Sequence, residues 1–185
     1  MLFSRDELNS FLEDSRETHK QAGAVEPELS KLTRKDFYGW LDNLSNELKE
    51  QIHLNTPLPP KDRSTRIKRA EHDFLFFART YFPHYFSINS SCALHEDLAH
   101  VFETMTQDSS GDKYVRAAPR GHAKTTYCSQ LLPLWCICFN KKRFVVEISD
   151  AVELVEGCLE AIKAELEDNA NLKMDFPQVC GITKN

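Results

Sequence analysis

The stretch Tyr114-Val115-Arg116-Ala117-Ala118-Pro119-Arg120-Gly121-His122-Ala123-Lys124-Thr125-Thr126 decides how the chain is read. Tyr114 to Ala118 carry the pattern of a short strand, a loop follows, and the segment from Lys124 to Phe139 has helical length. Past Asn140-Lys141-Lys142, the β-branched run Phe144-Val145-Val146-Glu147-Ile148 predicts a second strand. Ser149 or Asp150 then caps a long helix carrying Val152, Val155, Leu159, Ile162 and Leu166. Strand, loop, helix, strand, helix is the order of a βαβ unit.

The loop itself carries the chemistry. Setting Lys124-Thr125 against the end of the phosphate-binding pattern G-x-x-x-x-G-K-[ST] places Ala118 and Ala123 where the two glycines belong, so the strict motif fails. The physical arrangement survives. A tight loop opening into a helix presents unpaired amides and the positive end of the helix dipole to an anion, and a lysine at the helix start adds a full charge. Lys124 is expected to reach the β- and γ-phosphates of ATP, Thr125 to ligate a magnesium ion, and Gly121 to supply the freedom that the turn needs. Ala123 is small enough for a phosphate to approach its backbone, but a left-handed alanine costs on the order of 1 kcal/mol. The plain alternative is an ordinary strand-to-helix turn with an exposed lysine. The expected fold class is α/β: an incomplete parallel sheet of the P-loop NTPase type preceded by an all-helical N-terminal segment.

Working outward, the first sixty residues predict two amphipathic helices. Ser4 with Glu7 forms a capping box ahead of Leu8, Phe11 and Leu12, and Thr33 with Asp36 repeats the signal before Phe37, Trp40, Leu41, Leu44 and Leu48. Thr56-Pro57-Leu58-Pro59-Pro60 excludes a helix and is placed as a linker, which gives a helical segment over 1–56, a linker over 57–60 and a partial ATPase domain over 61–185. From Lys61 a helix with a basic, solvated first half (Lys61, Arg63, Arg66, Lys68, Arg69) runs into Phe74, Leu75, Phe76 and Phe77 and ends at Tyr81-Phe82-Pro83. Another helix is expected from Ala93 to Met105.

Composition narrows the function classes. With 23 Lys+Arg against 28 Asp+Glu, the net charge of −5 argues against a chain that coats nucleic acid by charge, so any DNA contact is local. The apolar run Gln130 to Phe139 is far short of the roughly 20 residues that cross a bilayer, and the Met1 end carries acids where a basic signal segment would begin; the expected setting is cytoplasmic. Six cysteines without C-x-x-C spacing read as reduced core thiols.

From about Phe74 to Phe176 the chain resembles the large terminase subunit of tailed bacteriophages, the ATPase that drives DNA into the capsid. The resemblance rests on Arg120-Gly121-His122-Ala123-Lys124-Thr125-Thr126: an arginine four residues before the lysine, then a small residue, Lys and two Ser/Thr. It implies that Pro119 to Thr126 cradle ATP and that Arg120 contacts the γ-phosphate, where an arginine neutralises developing charge. It implies an adenine-contacting role for His95, which stands where the family often has glutamine. Double-stranded DNA, a small terminase subunit and the portal are the implied partners in a bacterial host, and a nuclease activity accompanies the ATPase in full-length relatives.

ATP hydrolysis also needs a second carboxylate for magnesium and a glutamate that orients water. Asp150 reads as a helix cap, not as the acidic residue of a Walker B strand, because Ala151 stands where the glutamate belongs. Nothing after Asn169 supplies the pair, so the expectation is an N-terminal fragment, a prophage remnant or one piece of a split gene, that hydrolyses ATP negligibly. Two further readings stand beside it. One is a non-catalytic interaction module that docks a partner through the N-terminal helices, with Phe37 and Trp40 as exposed anchors; the other is a different P-loop ATPase.

Overall fold

A computed structural model of the chain describes residues 34–86, 91–107, 111, 113–119, 121–149 and 151–181. Its contacts separate Met1–Phe37 from Tyr38–Asn185, and the packing described belongs to the second unit. The regular elements are α1 (Arg34–His53), α2 (Arg63–His72), α3 (Phe74–Tyr81), α4 (Ala93–Gln107), a π-helical turn over Thr126–Leu131 that runs into α5 (Leu132–Phe139), α6 (Val152–Asp168) and α7 (Ala170–Asp175). Short 3-10 turns cover Pro60–Asp62 and Pro83–Phe86. The expected helix at Ser4 to Leu12 lies outside the described residues.

The α/β expectation is overturned: among the described residues every regular element is helical and there is no strand. Tyr114–Ala118 and Phe144–Ile148 run without regular structure, and Val115, Phe144 and Ile148 are 87, 83 and 89% exposed. A parallel sheet must be covered on both faces and needs more than a pair of strands to stand in water. The described residues offer these two segments no third strand, so neither gains a ladder.

The single helix expected from Lys61 onward breaks at Asp73 instead, whose backbone is extended (φ −124°, ψ 96°) and whose Oδ1 accepts from the Phe76 amide at 2.7 Å, starting α3 afresh. The new helix buries Phe74, Phe77, Ala78 and Tyr81 completely. Phe74 meets the Phe102 ring of α4 edge-on at 4.9 Å and the Trp135 ring of α5 at 5.4 Å, while the Trp135 indole donates to the Ala70 carbonyl of α2 at 2.8 Å. Phe77, Phe139 and Phe176 extend this aromatic core to the end of α7.

The basic face of α2 is not wholly solvated. Arg66 is 6% exposed, and its Nε and Nη2 donate to the two Asp175 oxygens at 2.7 and 2.9 Å, a bidentate pair that also accepts from the Tyr81 hydroxyl at 2.7 Å. The hydrogen bond from Arg66 to Asp175 raises the guanidinium pKa. Nor is the Pro-rich stretch a free tether. Asn171 accepts from the Leu58 amide and donates to the Thr56 carbonyl, and Arg66 donates to the Pro59 carbonyl at 2.9 Å.

Candidate functional site

Pro133 shapes the helix behind the loop. Having no N–H, it cannot bond the Ser129 carbonyl, and the preceding residues widen into a π-turn in which the Leu132 amide donates to Tyr127, five residues back. At the other end the Tyr127 amide closes the first turn on the Ala123 carbonyl at 3.0 Å. Lys124, Thr125 and Thr126 therefore supply first-turn amides that have no acceptor within the helix.

The loop ahead of them folds back on itself. Gly121 (φ 79°) and Ala123 (φ 50°) are both left-handed, an ordinary state for glycine and one that disfavours alanine by roughly 1–2 kcal/mol. The Lys124 ammonium is laid across the loop, donating to the Ala118 carbonyl at 2.5 Å and the Pro119 carbonyl at 2.6 Å. Upstream, Arg116 pairs with Asp97 of α4 at 2.6 Å and ties the approaching chain down. Cation, turn and first-turn amides thus sit together.

His95 has another role than the one expected. Its Nδ1 accepts from the Cys92 amide at 3.1 Å, its Nε2 lies 3.1 Å from the His122 carbonyl oxygen, and its ring stacks on Tyr127 at 4.5 Å and 9°. Both ring nitrogens and one face are engaged and the side chain is buried, so no edge is presented to a purine. The local cause is one half of a capping box: His95, at the third position of α4, accepts from the Cys92 amide as a Glu or Gln would. Cys92 and Tyr127 are the members of this arrangement that sequence reasoning missed. The capping spacing was the signal for Cys92; the stacking on Tyr127 left none.

Thr125 and Thr126 also line a groove of ≈ 290 Å³ with Trp40, Gln130, Glu153 and Gly157. Trp40 sits here, half-buried, with Gly157 leaving room for its ring, so it is not an exposed anchor. The Gln130 amide oxygen is buried without a partner among the described residues. The described residues hold no group of three or more His, Cys, Asp or Glu that could bind a metal by itself.

Burial raises the Tyr127 phenol. Cys136, Cys138 and Cys158 are buried free thiols, as expected; Cys92 and Cys128 are exposed, which corrects their placement in the core. Arg120 and Asp150 lie outside the described residues. The cap of α6 is Ala151, with no side-chain bond to the helix, and its own amide meets Ser149 Oγ at 3.4 Å. No described helix is long and apolar enough to cross a membrane. Set beside protein-family models, curated proteins and solved structures, the chain matches none.

Proposed function

We propose that residues 118–126 bind the triphosphate of ATP with magnesium, and that the chain is the ATP-binding N-terminal part of a phage terminase large subunit, whose motor packages double-stranded DNA. The observation that carries this reading is the position of Lys124. Its ammonium spans the Ala118 and Pro119 carbonyls beside a doubly left-handed turn and the first-turn amides of its own helix. Neutral carbonyls are weaker acceptors for an ammonium than charged phosphate oxygens, so a triphosphate competes for Lys124 while the amides of 124–126 add donors that no carbonyl of the helix claims. Thr125 would hold the magnesium ion, which when bound offsets phosphate charge. The reading is of binding through this loop, and a small terminase subunit, the portal and DNA are partners by resemblance alone.

Titrating a fluorescent ATP analogue into wild type and Lys124→Ala tests it. Loss of one charge-assisted contact of about 1.5–3 kcal/mol corresponds to a roughly 10- to 150-fold weaker Kd. Equal affinity in both proteins, or no binding by wild type, rejects the reading.

A further inference from the structure

The peptide between His122 and Ala123 is held from one side by His95. A ring nitrogen that accepts an amide proton is itself unprotonated, so the bond from Cys92 N–H to Nδ1 places the proton of the neutral ring on Nε2. A carbonyl oxygen only accepts, and Nε2–H donates to that of His122 at 3.1 Å. The two bonds agree on one tautomer. Stacking on Tyr127 fixes the ring plane, and the Tyr127 amide is bonded to the Ala123 carbonyl at 3.0 Å, so the same ring touches both ends of the turn.

The chain contains no cis peptide among the described residues, and across a trans peptide C=O and N–H point in opposite directions. Drawing the His122 carbonyl toward α4 therefore turns the Ala123 amide away from α4. Rotating that one peptide plane by about half a turn would carry φ of Ala123 from +50° into the negative range that alanine prefers, and would swing the amide round to face α4. Something must oppose that rotation, and the bond from His95 does.

We infer that His95 is a positioning residue: its Nε2–H aims the Ala123 amide at the anion, so the phosphate site is built partly by α4. The inference rests on the reading of 118–126 as a triphosphate loop. It also makes the histidine's contribution independent of the base, since its bonds go to the loop backbone.

Two substitutions separate donor from ring. His95→Phe keeps a flat ring over Tyr127 and removes the donor; His95→Gln gives up the stacking and keeps an amide N–H of similar reach. Binding of a fluorescent ATP analogue and of inorganic tripolyphosphate is measured for each, with a melting curve for each protein and a crystal structure of each variant. The expected result is a loss of about 10-fold for both ligands in His95→Phe, recovery to within about 3-fold in His95→Gln, and a 122–123 peptide that is rotated in the first crystal and native in the second. Should a variant fail to fold, the ring-nitrogen shifts of wild-type His95 in NMR decide the point: a proton on Nδ1 overturns the inference and one on Nε2 supports it. Wild-type binding that survives His95→Phe, or a native peptide in its crystal, overturns the positioning role alone. Failure of wild type to bind either ligand overturns the triphosphate reading with it.

Discussion

Phe74-Leu75-Phe76-Phe77 and Phe144-Val145-Val146 are equally apolar, yet the first holds two side chains at 0% exposure and the second leaves Phe144 at 83% and Val146 at 59%. The difference lies in where each segment finds its hydrogen-bond partners. A helix closes its backbone bonds within itself, so α3 needed only a surface to bury one face, and α2, α4 and α5 provide it. A strand-forming sequence must find another backbone first, and for 114–118 and 144–148 the described residues supply none. Hydrophobicity alone therefore does not bury a segment; its backbone has to be satisfied on the way in.

This contrast can be broken most severely at the helical side. Asp175→Ala strands the buried Arg66 charge and the Tyr81 hydroxyl together, and the expected loss is about 3–5 kcal/mol in urea unfolding. A midpoint within experimental error of wild type would mean that the pair contributes nothing to holding α2 against α7.

A matched pair of apolar truncations sharpens the comparison. Leu134→Ala, at a fully buried site of α5, is expected to lower stability by about 2–5 kcal/mol, whereas Ile148→Ala, at 89% exposure, should stay within about 0.5 kcal/mol. Similar losses at both sites would show that 144–148 is packed in solution. Between the two regions lies the loop, where Ala123→Gly relieves left-handed alanine at some expense in unfolded-chain entropy. A gain of about 0.5–1 kcal/mol is expected, and a loss would show that the methyl group is used in packing. The smallest effect is expected for Val115→Thr, which should leave the melting temperature unchanged while reducing binding of an apolar dye.

The helices were the legible part of the fold. Trp40, Leu44 and Leu48 mark α1, the Ala93 start marks α4, and the Val152 to Leu166 spacing marks α6. In the loop, the cost of a left-handed alanine could be weighed from the sequence, and Ala123 takes that conformation. The break at Asp73 was readable in principle, since aspartate ahead of Phe74-Leu75-Phe76 is a cap, but the apolar run on either side hid it. Three features were not readable. The fate of the two β-like runs depends on partners elsewhere, the burial of Arg66 depends on an aspartate 109 residues away, and the use of His95 Nε2 depends on a carbonyl 27 residues on.

What the sequence determined by itself is local: which segments are helical, that Gly121 can turn left-handed, and that a lysine stands at a helix entrance. These depend on bonds between residues a few positions apart. Tertiary structure alone decided which apolar segments are covered, which arginine is buried, and which way the 122–123 peptide faces, because each requires a partner that is distant in the chain and whose arrival no local spacing encodes.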